Sequence, residues 1–348
     1  LKTGKGALKM DKKETLRRML EDLVLPETGL KLGRLNLLRE IEILDNQIKL
    51  TIASTGLSPA RQEWLKNEIN ELLKKSHYSE RVDIEFKEFK ATELNQVKHI
   101  IAVISGKGGV GKSVVSSLLA VALNRRGYRV GILDADLTGP SIPRMFGLAT
   151  RPEGTESAIL PVLSRTGIEV MSLNLMLPGE EEAVIWRGPV ISGVIRQFWE
   201  GVLWGNQDYL IVDLPPGTAD APLTVMQSIP ITGIVIVFTP QALTAMIVKK
   251  TVKMAKTMGK RILGVVENMS YLYIPEIHKR MEIFGPSKAD QIIEAAQAPL
   301  LARLPIDPVL TKLGDEGLIE RYNAEVVTQM GDALIRQISG AERQQPMD

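Results

Sequence analysis

Ser105-Gly106-Lys107-Gly108-Gly109-Val110-Gly111-Lys112-Ser113 is the stretch that decides the fold of this chain. Upstream lies the apolar run Ile100-Ile101-Ala102-Val103-Ile104, and downstream Val114 to Arg126 reads as a helix. Buried strand, glycine-rich turn and helix N-terminus, in that order, are what a phosphate-binding loop requires. The glycines let backbone N–H groups turn inward around phosphate oxygens without a Cβ in the way. The helix dipole favours an anion, and Lys112 adds a positive charge. The Ser113 hydroxyl suits Mg²⁺, an ion that usually keeps several of its waters. Gly106, Lys107, Gly108, Gly109, Val110, Gly111, Lys112 and Ser113 are therefore expected to cradle a nucleoside triphosphate.

The rest of the chain divides around this loop. With 348 residues there is room for two domains with substantial cores. Residues 11–90 read as a small α+β domain: a helix from Thr15 to Leu25, a hairpin around Asp45-Asn46, a helix from Pro59 to Lys75, and a strand in which Val82, Ile84 and Phe86 alternate with charged residues. Ala91 to Lys98 is polar and reads as a linker. Over 99–340 strands alternate with helices, which predicts a doubly wound, mostly parallel α/β sheet covered on both faces. The expected strands are 100–104, 129–133, 168–172, 209–213, 233–238, 262–266 and 300–304. Sheets of this kind bind ligands at the carboxyl ends of their strands.

The polar motifs fall at those ends. Asp134-Ala135-Asp136 follows one strand, and two carboxylates there can orient a water or a hydrated Mg²⁺. Tyr209 to Asp213 is an apolar strand ending in a carboxylate, so Asp213 is the natural residue to stand behind a bound Mg²⁺ and hold its ligands. Gly217 offers an N–H able to approach a γ-phosphate closely, and Asp220 reads as a switch residue or a cap. Asn268, after another strand, carries both a donor and an acceptor and is a candidate reader of an adenine edge.

A net charge of +2 makes no global electrostatic case for nucleic acid or a membrane surface. Apolar runs such as Ile231 to Phe238 are far too short to span a bilayer. The basic stretch Leu1 to Lys13 has no apolar core behind it, so it does not read as a secretory signal, and Met10 is a candidate start. The sequence contains no cysteine, which excludes disulfides, thiolate metal sites and cysteine nucleophiles and fits a cytoplasmic protein.

The second loop lysine, Lys107, resembles the deviant phosphate loop of the MinD/ParA/nitrogenase-iron-protein ATPases. Taken with Asp134 to Ser141, Ile142-Pro143-Arg144, Trp186-Arg187-Gly188-Pro189, Asp213 to Thr218 and Glu267 to Tyr271, it makes residues 98–335 closely resemble the Mrp/ApbC ATPases, an iron–sulfur cluster carrier family. The small N-terminal domain is similar to the one that precedes many bacterial members. The resemblance implies a homodimer that binds ATP and Mg²⁺ and hydrolyses ATP. Lys112 and Ser113 would hold phosphate and Mg²⁺, with Asp213 behind them. Asp136 would position the attacking water, Lys107 would complete the partner's site, and Asn268 and Asp307 would contact the base.

The sequence departs from the family where the cluster would be held. Many members carry Cys-x-x-Cys after the Asn-Met-Ser-Tyr segment, and two such pairs would bridge a cluster across the dimer. The matching positions here are Ile274 and Ile277, with Pro275 between them. A cluster with no cysteine ligand would be exceptional. Two functions are therefore carried forward. One is an ATPase of the carrier type whose client is an apo iron–sulfur protein. The other is an ATP-switched regulator acting on a protein or DNA partner. For DNA, Lys249, Lys253, Lys256 and Lys260 share a helix face, a pattern that solvation alone usually explains. A membrane role is not expected: the stripe Val326, Val327, Met330, Leu334 and Ile338 lacks a basic opposite face and should pack on the domain.

Overall fold

The computed structural model describes residues 2–44, 46–136, 139, 141–176, 188–217, 220–274 and 277–342. Trp186, Arg187, Thr218 and Pro275, all singled out in the sequence, lie outside these. The chain forms two compact units.

The first unit holds residues 1–97, 152–163 and 200–207. Its elements are α1 (Lys2–Glu21), β1 (Leu38–Ile43), β2 (Gln47–Ala53), α2 (Pro59–Lys75), β3 (Arg81–Lys87), α3 (Ala91–Leu94) and the short β6 (Val162–Leu163). β1 and β2 form the antiparallel hairpin, and β3 joins β2 in parallel because α2 returns the chain to the same end of the sheet. Ile48, Leu50 and Ile52 are buried, as a period of two predicts for one face. The Ser58 hydroxyl accepts from Arg61 N and Pro59 opens α2, so that helix starts where its capping chemistry places it. α1 ends at Glu21, earlier than the expected Leu25, because the chain turns tightly there and Leu25 N donates to Leu30 O. The predicted linker 91–98 contains α3 and the beginning of the next strand, with Ala91 and Leu94 buried.

The second unit holds 98–151, 164–199 and 208–348. Its strands are β4 (Gln96–Ser105), β5 (Val130–Asp134), β7 (Glu169–Ser172), β8 (Asn206–Asp213), β9 (Gly233–Phe238), β10 (Ile262–Glu267), the hairpin β11 (Leu272–Ile274) and β12 (Lys279–Met281), and β13 (Leu300–Arg303). Its helices are α4 (Lys112–Arg125), α5 (Ile142–Phe146), α6 (Gly188–Glu200), α7 (Asp220–Ser228), α8 (Ala242–Thr257), α9 (Ala289–Ala296), α10 (Pro308–Asp315) and α11 (Glu325–Glu342). The main sheet runs β13-β10-β9-β4-β8-β5-β7, and the registered pairs in it are parallel. The chain leaves β4 towards β5 and later returns to β9 on the other side, so the crevice beside β4 is the topological switch point. Ser105, Asp134, Asp213 and Glu267 each end a strand on that edge. Asp134 stands directly opposite Asp213 in the β5–β8 register.

Val327, Met330, Leu334 and Ile338 of α11 are buried, so the C-terminal stripe packs into this unit. Among the described residues no helix is long and apolar enough to cross a membrane.

Candidate functional site

A cavity of about 650 Å³ opens at the end of β4. Its floor is the predicted loop from Lys107 to Ser113, and Asp136, Asn268 and Asp307 also line it. The far wall is apolar, made by Met145, Phe284, Pro305, Ile306, Leu310 and Ile319. Gly106, Asp213 and Gly217 lie outside its lining. One end thus suits phosphate and the other a flat apolar ring, the division a nucleotide needs.

Gly111 stands at the N-cap of α4 with φ +76° and, as a glycine, brings no side chain to cap the first-turn N–H groups of that helix. Uncapped N–H groups at the positive end of a helix dipole form an anion site. Below them lies a compact charged cluster. Asp213, 0% exposed, accepts from Ser113 Oγ at 2.5 Å and from Ser116 Oγ at 2.6 Å. Lys112 Nζ lies 2.8 Å from Asp213 Oδ2 and 3.6 Å from Asp136 Oδ2. Asp134 accepts from Asp136 N at 3.2 Å, Ile142 N at 3.3 Å and Ser172 Oγ at 3.2 Å, and so holds both ends of the 136–142 segment. Burial, then the charge of Asp213, pushes the Asp134 carboxyl up to about 8 against the opposing pull of Lys112.

Several expected residues have partners the sequence did not reveal. Asn268 Nδ2 donates to Val110 O at 2.9 Å, so the expected base reader braces the phosphate loop. Asp307 caps α10 through Val309 N at 2.8 Å and accepts from Tyr322 Oη at 2.8 Å, which occupies both carboxylate oxygens. The Gly217 N–H, expected to face a γ-phosphate, donates to Ser105 O at 2.9 Å. Lys107 Nζ donates to Gln241 Oε1 at 2.6 Å.

Ser116 and Gln241 were not singled out from the sequence, and Glu267 entered only as the first residue of the Glu267–Tyr271 stretch, with no role assigned to it. Glu267 is fully buried and accepts from Ser270 Oγ, Ser287 Oγ, Lys288 N and Arg303 Nε. Glu267 ends one buried strand and Gln241 closely follows another at the same edge of the sheet, and that position was the available signal.

The residues present fit Mg²⁺: a serine hydroxyl and a fully buried carboxylate 2.5 Å apart are hard oxygen donors. Among the described residues no three His, Asp or Glu side chains converge as a ready-made cage, so phosphate oxygens and water would complete the shell. A thiolate-bound iron–sulfur cluster does not fit. No cysteine is present in the sequence, and of the two isoleucines at the matching positions Ile274 is half-buried and Ile277 exposed.

Comparison with known proteins gives a consistent result. Residues 96–339 match the ParA family described as the NUBPL iron-transfer P-loop NTPase, and residues 13–86 match an iron–sulfur cluster assembly protein family. The chain is 46% identical over 242 residues to an iron–sulfur cluster carrier protein of Clostridium perfringens, covering 67% of this chain and 85% of that one. It is 36% identical over 348 residues to one from Synechocystis, covering 94% and 96%. A nucleotide-binding protein of Archaeoglobus fulgidus, solved in complex with ADP, superposes with a TM-score of 0.61 at 44% identity over 68% of this chain and 94% of that one. The Pyrococcus furiosus cell-division ATPase MinD shares the fold, with a TM-score of 0.53 at 24% identity over 68% and 98%.

Proposed function

This chain belongs to the NUBPL-type iron-transfer P-loop NTPases of the ParA family, and from that premise we propose that it binds ATP with Mg²⁺ and hydrolyses it slowly as a homodimer. The observation that carries the reading is the junction of Lys112, Ser113 and Asp213 beneath an uncapped helix N-terminus. The ADP held by the Archaeoglobus relative supports it.

The chemistry follows from the residues. Backbone N–H groups of 108–113 and the Lys112 ammonium bind the phosphates. Lys112 already lies against two carboxylates, so triphosphate draws it from one anionic partner to another rather than out of water. Bound Mg²⁺ would supply charge neutralisation on the phosphate oxygens, held by Ser113 with Asp213 behind it. Asp136, 8% exposed and on the cavity wall, orients the attacking water. Lys107 reaches the nucleotide of the second protomer. Asn268 braces the phosphate loop through Val110 O, and Asp307 shapes the α10 corner at the base end. Phosphoryl transfer of this kind needs positioning and charge stabilisation, with no covalent intermediate.

Lys112→Ala is expected to abolish nucleotide binding. Asp136→Ala is expected to keep binding and lose turnover by about 10²–10⁴-fold, the range of a positioned acid–base group. Turnover at the parental rate in the second variant would remove Asp136 from its assigned role.

The family points to a cytoplasmic carrier handing clusters to an apo protein, but the cluster is cargo this chain has no thiolate to hold. A second reading, an ATP-switched regulator of a protein or DNA partner, is favoured by Ile274 and Ile277 at the cluster positions. Anaerobic reconstitution separates the two. Stoichiometric iron and sulfide per dimer supports the carrier; none, with ATP binding intact, supports the regulator.

A further inference from the structure

Lys107 is tied to its own chain. Its Nζ donates to Gln241 Oε1 at 2.6 Å, while its carbonyl accepts from Ser105 Oγ at 3.0 Å, so backbone and side chain are both held within one protomer. Gln241 occupies the N-cap position of α8, where a short polar side chain would normally accept from the first-turn N–H groups, yet its own makes no capping bond. The amide is turned to the phosphate loop instead. Gly108 and Gly109, next to Lys107, have nothing within 4 Å of an added Cβ, so the loop beyond the lysine stands in open space.

We propose that Gln241 is a positioning residue that parks Lys107 in the isolated protomer, so that the lysine is released to the partner's nucleotide only when two ATP-loaded chains meet. The inference rests on the reading that Lys107 acts across the dimer. A neutral amide is the right partner for such a latch. A carboxylate would hold the ammonium as an ion pair and compete with phosphate. Open water would leave a long side chain free to sample many rotamers and blunt the approach. A hydrogen bond from a cation to a neutral acceptor is worth roughly a factor of ten in an equilibrium, enough to bias the lysine and weak enough for a triphosphate to overcome. Because Gln241 does not cap α8 with its side chain, changing that side chain removes the latch without removing a cap.

The test measures ATP turnover per chain, and ATP–Mg²⁺-dependent dimerisation by sedimentation, against protein concentration. The full-length protein is compared with its Gln241→Ala, Gln241→Glu and Lys107→Ala variants. Gln241→Ala should lower the concentration for half-maximal turnover and dimerisation by about three- to tenfold. Gln241→Glu should raise it, and added salt should relieve that effect. A helix or loop merely damaged by substitution would move both variants the same way, so shifts of one sign, or no shift, overturn the latch. If Lys107→Ala loses the concentration dependence while the Gln241 variants match the parent, only the latch falls. If Lys107→Ala behaves as the parent, the trans-acting lysine falls and the latch with it.

Discussion

A methyl group added at Gly111 would sit 2.2 Å from Asn268 Nδ2, on a residue whose φ is +76°. The left-handed conformation alone costs an L-residue about 1–2 kcal/mol, and the collision adds to it. Gly111→Ala should therefore lower stability in urea by more than that strain and weaken ATP binding. Asn268→Ala removes the colliding amide but leaves the Val110 carbonyl without its donor. The double variant should be more stable than the two single losses added together, by about 0.5 kcal/mol or more; strict additivity would show that the two residues do not meet. The loop itself was legible in the sequence because its glycines and lysine have few other uses together. The task of Asn268 was not, since an amide names a donor and an acceptor but not the neighbour that takes them. Asp208 makes a residue-scale case in pH. Burial raises its carboxyl, but the Lys98 hydrogen bond at 2.7 Å, the Arg129 amide at 2.8 Å and the two positive charges outweigh it and hold it below the usual carboxylate range. A depressed folded value gives stability that is present above the unfolded value of about 3.9 and lost as pH falls through the folded one. Asp208→Asn should be less stable than the parent at pH 7, with the gap narrowing below about pH 4. A gap that stays constant down to pH 2 would contradict the sign.

At the scale of elements, the strands of the main sheet were readable because both faces are covered and their runs are continuously apolar, as in Gly233–Phe238. Their polar endings marked the ligand edge in advance. The short pieces were not readable. α3 spans four residues, and β11 and β12 three each, below the length at which a period declares itself. The β11–β12 hairpin follows Glu267, whose carboxylate gathers Ser270, Ser287, Lys288 N and Arg303. Arg303 also reaches Glu282 just beyond β12. Glu267→Ala would leave these donors facing a buried gap, costing about 2–3 kcal/mol. Hydrogen exchange should show the loosening concentrated in 270–288, because that segment supplies most of the partners. Uniform loosening of the whole sheet would assign Glu267 to global stability instead.

At the scale of the whole molecule, the sequence suggested a boundary near residue 98, but the first unit takes in more than the residues before it. Residues 152–163 and 200–207 belong to it and pair with each other, Leu203 N donating to Ile159 O at 2.9 Å and Ile159 N to Gly201 O at 2.8 Å. Asn206 Nδ2 reaches Gly33 O at 3.0 Å, and Gly205 N reaches Asn95 Oδ1 at 2.9 Å. Ala158, Leu160 and Leu203 are buried in the core built by α1, α2 and β1–β3. No local pattern distinguishes such excursions, because only folding brings 160 and 203 beside residues of the first hundred. A fragment of residues 98–348 would keep every phosphate-site residue, all of which lie in the second unit, while stripping the cover from Leu160 and Leu203. It should bind ATP within a few-fold of the full chain but self-associate through newly exposed apolar surface. Leu160→Ser with Leu203→Ser in the fragment should restore monodispersity by light scattering without changing ATP affinity. The same pair in the full chain should instead cost several kcal/mol, since each change puts a hydroxyl and a cavity into a packed core. A fragment that is monodisperse before any substitution would show that these excursions do not depend on the first hundred residues for their cover.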